Sequence, residues 1–373
     1  MAALLVLLVV AIVAAWGWHR YAAFSRGPLA TVAPHSRVTV APGDSFRGML
    51  ARMRGQGVSQ GSDLEWLLLG RQLDAAGKLK VGEYALEPDD SPRELLLRMR
   101  NGKTIQYRFT IVEGWNIRQL RAAINRASPL KHLSAEMDDA ALMTALGHAG
   151  EHPEGRFLPE TYLYTSSDSD LDVLKRAHAA MQKALAAAWK ARQPGLPLVN
   201  ADEALVLASI IEKETGLASE RPAIAGVFVR RLEQGMKLQT DPTVIYGIGS
   251  GYDGNIRRRD LVTDTPYNTY TRFGLPPTPI AMPGVDALQA AVRPQPGKAL
   301  YFVAVGDGSG RHVFSDSLSA HNTAVSTYLR TRRQTLQQAG GAAAPQLDAA
   351  PAEGAQDADA DSDKPADGSE PGR

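Results

Sequence analysis

Glu212 is the lead candidate for chemistry among the 40 acidic residues of this chain. It follows the apolar run Ala204 to Ile211, seven residues after Leu205 and four after Ala208, and so shares their face of a helix. A carboxyl placed there is desolvated and lies near the negative end of the helix dipole. Both effects favour its protonated form. A carboxyl that holds its proton near neutral pH can act as a general acid. The competing reading is a structural Glu212 paired with an arginine, the usual state of a buried glutamate.

Several other chemistries are excluded. The chain has no cysteine, so no disulfide or thiolate site. It has no H-E-x-x-H, and its histidines do not pair at metal-ligand spacing, so no metal or cofactor is expected. No G-x-S-x-G elbow, P-loop or Rossmann glycine pattern is present; G-I-G-S-G (Gly247 to Gly251) lacks the lysine of a phosphate loop. What remains is one carboxylate beside a stretch rich in Tyr, Asn, Gln and Thr. Such surfaces suit carbohydrate polymers, with aromatic faces under sugar rings and amides on their edges.

The elements that must position Glu212 are legible around it. Asn200 caps its helix, Glu203 takes the capping-box position, and Gly216 is expected to close the helix in the left-handed conformation. Ser219 then reads as the N-cap of a second helix running to Glu233 and stopping at Gly235, the two forming an antiparallel hairpin. Met236 to Val303 reads as loop-rich, hence a binding surface. Before the central helix, Leu171 to Arg192 is a long Ala-rich helix whose His178 and Trp189 read as surface or packing residues. After the loops, Leu300 to Val305 and His312 to Phe314 form a hairpin, and Ser317 to Thr331 a closing helix.

Upstream, Ala2 to Trp18 is apolar and uncharged and just reaches bilayer-spanning length. A cleaved signal peptide is the rival, through Val13-Ala14-Ala15. The anchor is the favoured reading, over residues 1–20, with the bulk of the protein outside the cytoplasm. Residues 21–36 read as a juxtamembrane linker, and Arg37 to Leu86 as strand, helix, helix, strand. With V-x-V-x-P-G-D-S at its start, this module (37–108) resembles a LysM domain, which implies affinity for N-acetylglucosamine-containing glycans. A small docking domain that binds no sugar is the alternative. The second domain, 109–335, carries Glu212. The acidic Ala/Pro-rich residues from 336 to 373 read as disordered. The fold class is therefore α+β. Net charge is +1, but about +7 without the final 33 residues, too weak to argue for nucleic acid.

Taken in order, I-I-E-K-E-T-G, A-S-E-R (Ala218 to Arg221), L-Q-T-D-P-T-V-I-Y-G, Y-N-T-Y (Tyr267 to Tyr270), G-L-P-P-T-P-I and H-V-F-S (His312 to Ser315) closely resemble the endolytic murein transglycosylases, the MltG or YceG-like family. The resemblance spans roughly Tyr107 to Arg330. It implies a lyase of the inner membrane, single-pass and periplasmic, that cuts the β-1,4 bond between N-acetylmuramic acid and N-acetylglucosamine in peptidoglycan. It implies Glu212 as the catalytic acid, no cofactor, and work beside peptidoglycan synthases. In that setting Gln239, Thr240 and Asp241 are expected to line the groove, with Asp241 either an electrostatic stabiliser or part of an Asp-Pro turn. Tyr246, Asn268 and Tyr270 are expected sugar contacts, core packing being the alternative for Tyr246. Glu214 is expected to face away from Glu212, Glu220 to be structural and paired with Arg221, and His312 to lie on a hairpin face. A hydrolase using Asp241 as second carboxylate and a non-catalytic glycan-binding scaffold are the competing functions.

Overall fold

A computed structural model describes residues 2–29 and 31–338; the acidic tail beyond 338 lies outside the described residues. The chain divides into two compact units. The first comprises Met1–Phe109, Ile124–Glu136 and Thr161–Val173; the second comprises Thr110–Ala123, Met137–Glu160 and the chain from Leu174 onward. The first unit thus takes in two segments that the sequence reading placed downstream.

In the first unit, α1 (Ala2–Arg26) is long and apolar enough to cross a membrane. Its last turns do not hang free. Tyr21 Oη donates to Gln72 Oε1 at 2.6 Å, and Phe24 stands edge-on to Trp66 at 5.4 Å. The expected linker is therefore built into the fold, because Phe24, Leu29 and Val32 are buried in the unit's core. Strand β1 (Ser36–Val40), α2 (Phe46–Gly55), α3 (Asp63–Gln72) and β2 (Gly82–Leu86) follow in the order read from sequence. The strands pair antiparallel with Val38 opposite Tyr84, and alternation buries Val38, Val40, Tyr84 and Leu86 on one face. Capping boxes start α3 (Ser62 with Glu65) and α4 (Pro92–Asn101; Ser91 with Glu94), and Gly102 closes α4 at φ 71°. Strands β3 (Tyr107–Thr110) and β4 (Thr161–Tyr164) form a second two-stranded sheet.

The second unit holds α6 (Asp139–Leu146), α8 (Ala201–Glu214), α9 (Arg221–Glu233), α10 (Asp241–Ile248), α11 (Arg258–Val262) and α12 (Val285–Val292), with all but the last residue of α5 (Ile117–Ile124) and all but the first turn of α7 (Asp170–Lys190). The hairpin β5 (Tyr301–Ala304) and β6 (His312–Ser315) and α13 (Leu318–Gln338) complete it. Its core is organised on α8, where every residue from Ala204 to Ile211 is buried against side chains of α7, α9 and α12. Each large apolar side chain in that run contributes roughly 2 kcal/mol on burial. The one hydroxyl in the run, Ser209, donates to Val206 O at 2.7 Å and accepts from Ile280 N at 3.0 Å, so no polar group there goes unmet.

Three local expectations are corrected. The helix α8 ends not through a left-handed Gly216 but through an extended Thr215 (φ −145°, ψ 136°), whose hydroxyl accepts from Leu217 N at 3.0 Å. Ser219 is not the cap of α9. Glu220 holds that position without a capping bond, because its carboxylate is taken by His312: the His312 amide at 3.0 Å and Nδ1 at 2.7 Å. The stretch from Met236 to Val303 contains three short helices, α10 to α12. Helix α12 escapes sequence reading because its apolar run is brief and framed by Pro283, Gly284 and Pro294.

Candidate active site

Glu212 occupies the last turn of α8, with a side chain only 5% exposed. Asn200 Oδ1 accepts from Glu203 N at 2.9 Å at the other end of the helix, as its N-cap role requires. The Glu203 carboxylate reaches Val199 N at 2.7 Å, one residue further back than in a capping box. Glu212 Oε1 accepts from Arg221 Nη2 at 2.8 Å, and Oε2 from Gly284 N at 2.9 Å. The arginine comes from the first turn of α9. The amide comes from the residue that precedes α12, so a helix N-terminus faces the carboxyl.

Gly284 lies against Glu113: a Cβ there would come within 2.0 Å of Glu113 Oε1, so the Glu113 carboxylate would have to swing aside. Glu113 lies in the turn after β3, where Gly114 adopts φ 75° and its amide donates to Met282 O at 3.0 Å. Met282 N returns a bond to Trp115 O at 2.7 Å, so this turn and the Met282-Pro283-Gly284 segment are stitched together. Arg221 then meets three carboxylates: Glu212, Glu113 at 3.3 Å and Asp286 at 3.7 Å.

One guanidinium cannot neutralise three acids. Glu113 and Asp286 are 49% and 65% exposed, so water supports their charge. Glu212 is enclosed, and it is the member of the set best suited to carry a proton. Burial pushes its carboxyl up from the ordinary range, the Gly284 amide and Arg221 pull it back, and the charge of Glu113 adds to the rise. The arginine pairing that the sequence reading set against catalysis is thus present, but the arginine is divided among three partners.

The expected groove residues form a network at the same end of α8. Thr240 is 2% exposed; its hydroxyl donates to Glu214, and its amide donates to Thr269 Oγ1 at 3.0 Å. Glu214 is therefore bridged to the loop that carries Thr240. Gln239 is half-buried at φ 51°, its Oε1 accepting from Arg231 at 3.1 Å. Asp241 starts α10 and accepts from Tyr270 Oη at 2.6 Å. Asn268 is corrected from sugar contact to scaffold. It is 1% exposed, and its amide nitrogen donates to the carbonyls of Asp260, Leu261 and Thr263. Thr240 is likewise too enclosed to touch a polymer directly. An open pocket bounded by Pro266, Thr269, Phe273 and Pro277 belongs to the same loops.

The profile of the YceG-like family matches residues 38–327, well over half of the sequence. The chain belongs to the YceG-like family. It is 30% identical over 276 residues to an endolytic murein transglycosylase of Bacillus subtilis, covering 69% of this chain and 76% of that protein. A Streptococcus pneumoniae protein of the same name is 27% identical over 286 residues, and there this chain spans 51% of the relative's length. A crystal structure of a yceG-like protein from Listeria monocytogenes, 29% identical, superposes with a TM-score of 0.50 over 77% of this chain and 98% of that one.

Sequence reasoning missed several residues of this YceG-like site. Glu113 and Gly284 stand in motifs that were legible, Glu-Gly-Trp after a strand and Met-Pro-Gly, but their meeting across the fold was not. Glu154 had no signal beyond its place in an aromatic-rich loop. It is fully buried, both its oxygens accept from Ile117 N at 3.1 Å, and burial raises its carboxyl to about 7. Tyr246 bonds to Glu154, packs edge-on to Tyr267 at 4.8 Å and lies under Arg118, so core packing accounts for it. Histidine spacing along the chain gave no metal site. The fold nevertheless brings His178 beside His148 and Glu151, which lie one helical turn apart in sequence but far from His178.

Proposed function

We propose that this protein is a membrane-anchored lytic transglycosylase of peptidoglycan in which Glu212 serves as the only catalytic carboxyl. The observation that carries the reading is the enclosed Glu212, held by Arg221 and the Gly284 amide in a cluster with surplus negative charge. Two relatives bearing the name endolytic murein transglycosylase support the reaction class.

The protonated Glu212 gives its proton to the bridging oxygen between N-acetylmuramic acid and N-acetylglucosamine as that bond breaks. The carboxylate so formed is stabilised by the arginine and the amide already directed at it. It then takes the proton of the muramic C6 hydroxyl as that oxygen closes onto C1. The product end is a 1,6-anhydro sugar, the carboxyl is again protonated, and no water enters. Most glycosidases need a second carboxyl to attack or to direct water; an internal nucleophile removes that need. Cleavage within new strands limits their length beside peptidoglycan synthases. The β-α-α-β module holds glycan near the membrane, and the anchor α1 leaves both units outside the cytoplasm.

The second reading, a hydrolase, is favoured by one observation: Glu113 shares the Arg221 guanidinium and is half-exposed, as a water-directing carboxylate would be. Mass spectrometry of strands digested by the purified full chain separates the two. Anhydro ends support the lyase, and reducing ends heavier by one water refute it. Full cleavage by Glu212→Gln would refute the assignment of the acid.

A further inference from the structure

Helix α3 of the first unit turns two leucines outward. Leu64 and Leu68, one helical turn apart, are 66% and 47% exposed, and Arg71 stands a turn further along the same stripe. The opposite side of α3 is spent on the core through Trp66, Leu69 and Gly70, all buried. Between the two sides, Glu65 and Gln72 meet α1. Arg20 Nε donates to Glu65 Oε1 at 3.2 Å, and Tyr21 Oη donates to Gln72.

These contacts orient the leucines. Glu65 and Gln72 are separated by about 10 Å along α3, yet they bond to neighbouring residues of α1, so α3 runs across α1 rather than beside it. Going round α3, Trp66 meets Phe24, Glu65 and Gln72 meet Arg20 and Tyr21, and Leu64 and Leu68 come next. That order descends α1 from its buried end toward its exposed apolar length. With α3 centred on the level of Arg20 to Phe24, a helix radius of about 5–6 Å carries its outer face down to the level of Trp18. Trp16 and Trp18 are themselves 64% and 68% exposed.

Exposed indoles near the end of an apolar helix mark the boundary between hydrocarbon and headgroups. The charges around the outer face of α3 suit that boundary. Its acids are already paired, Asp63 with Arg54 at 3.1 Å and Glu65 with Arg20. Glu94 is bound into its capping box with Ser91. Arg71 is exposed, and so is Arg93 at the start of α4, close enough for its charge to act on Tyr21; neither has a carboxylate partner among the described residues. The surplus is positive, and positive charge beside a membrane helix is drawn to anionic lipid phosphates.

We propose that the face of α3 formed by Leu64, Leu68 and Arg71 rests on the surface of the bilayer that α1 crosses. The leucines enter among the outermost acyl carbons, and Arg71 and Arg93 meet lipid phosphates, the usual division for a helix lying in the interface. Continuity names the occupant: this face adjoins the stretch of α1 that is itself at the lipid boundary. The inference rests on α1 being a membrane anchor. It adds a second point of attachment, so the first unit does not swivel about α1 and keeps one side toward the lipid.

The chain has no cysteine, so single cysteines can be labelled without other changes. Leu64→Cys and Leu68→Cys, at exposed positions, should keep the wild-type melting temperature in detergent. Each full-length variant is labelled with a polarity-sensitive fluorophore and placed singly in nanodiscs of phosphatidylethanolamine and phosphatidylglycerol. Leu8→Cys reports whether α1 is inserted, and Thr39→Cys, on the exposed face of β1, reports the solvent side. With nitroxide-bearing phospholipids in the disc, the labels at 64 and 68 should shift to the blue and lose most of their emission, while the label at 39 keeps its own. Quenching at 8 without quenching at 64 and 68 overturns the docking and leaves the anchor standing. A blue shift at 68 that lipid nitroxides do not quench assigns the face to protein or glycan and also overturns it. Quenching at 39 as deep as at 68 removes the specificity claimed for α3. An unquenched label at 8 removes the anchor, and the docking with it.

Discussion

Glu212 and Glu154 are two buried carboxyls of one folded unit, both raised above the ordinary range by burial, and their surroundings separate them. Glu212 faces an arginine and a backbone amide, with exposed acids beside it that mark the way to solvent. Glu154 is fully enclosed, fastened to the Ile117 amide and to Tyr246. A displaced pKa therefore does not by itself identify a catalytic group. Access, and partners able to receive the charge once the proton has left, distinguish the reactive acid from the structural one.

The largest effect that would sharpen this contrast is on turnover. Glu212→Gln should lower strand cleavage by about 10²–10⁴-fold, the usual worth of a general acid, while the melting temperature holds. Glu154→Gln should instead act on stability and on its pH dependence. An unfolded glutamate titrates near 4.5 and folded Glu154 at about 7, so between those values the folded state carries the extra proton. Wild-type stability should fall as pH rises through that window, by about 3 kcal/mol in total. Denaturant unfolding at pH 5 and pH 8 reads this, and equal slopes for wild type and Glu154→Gln would break the comparison.

A smaller effect is expected at Ser209→Ala, about 1–2 kcal/mol, because the Ile280 amide loses its buried acceptor. Thermal unfolding measures it, and a neutral result would mean that the Met282-Pro283-Gly284 segment is held by its other bonds. The smallest change is expected at Glu113→Gln. Removing that charge lowers the pKa of Glu212, so the alkaline limb of the pH–rate profile should move to lower pH with the maximal rate kept. A loss of rate as deep as that of Glu212→Gln would make Glu113 a second catalytic carboxyl, and the hydrolase the better reading.

Much of this was legible in the chain because the signals are local. Asn200 before an apolar run marks the start of α8, serines followed three residues later by glutamate mark α3 and α4, and alternation marks β1 and β2. The site is less legible because its partners come from separate stretches. Arg221 could be read as the neighbour of Glu220, but with α8 ended at an extended Thr215 it bonds to Glu212 and leaves Glu220 to His312. Gly284 contributes an amide, which no residue type advertises. Asn268 has the chemistry of a sugar ligand and spends it on loop carbonyls, a choice set by burial rather than by identity.

The helix α1 passes from its exposed apolar length into the packed first unit without a break. Twenty-five residues of helix measure about 38 Å, and a bilayer's hydrocarbon takes about 30 Å. The surplus turn and a half is already inside the protein. With α1 in a bilayer, the first unit is mounted as on a bracket, its height and tilt set by the lipid.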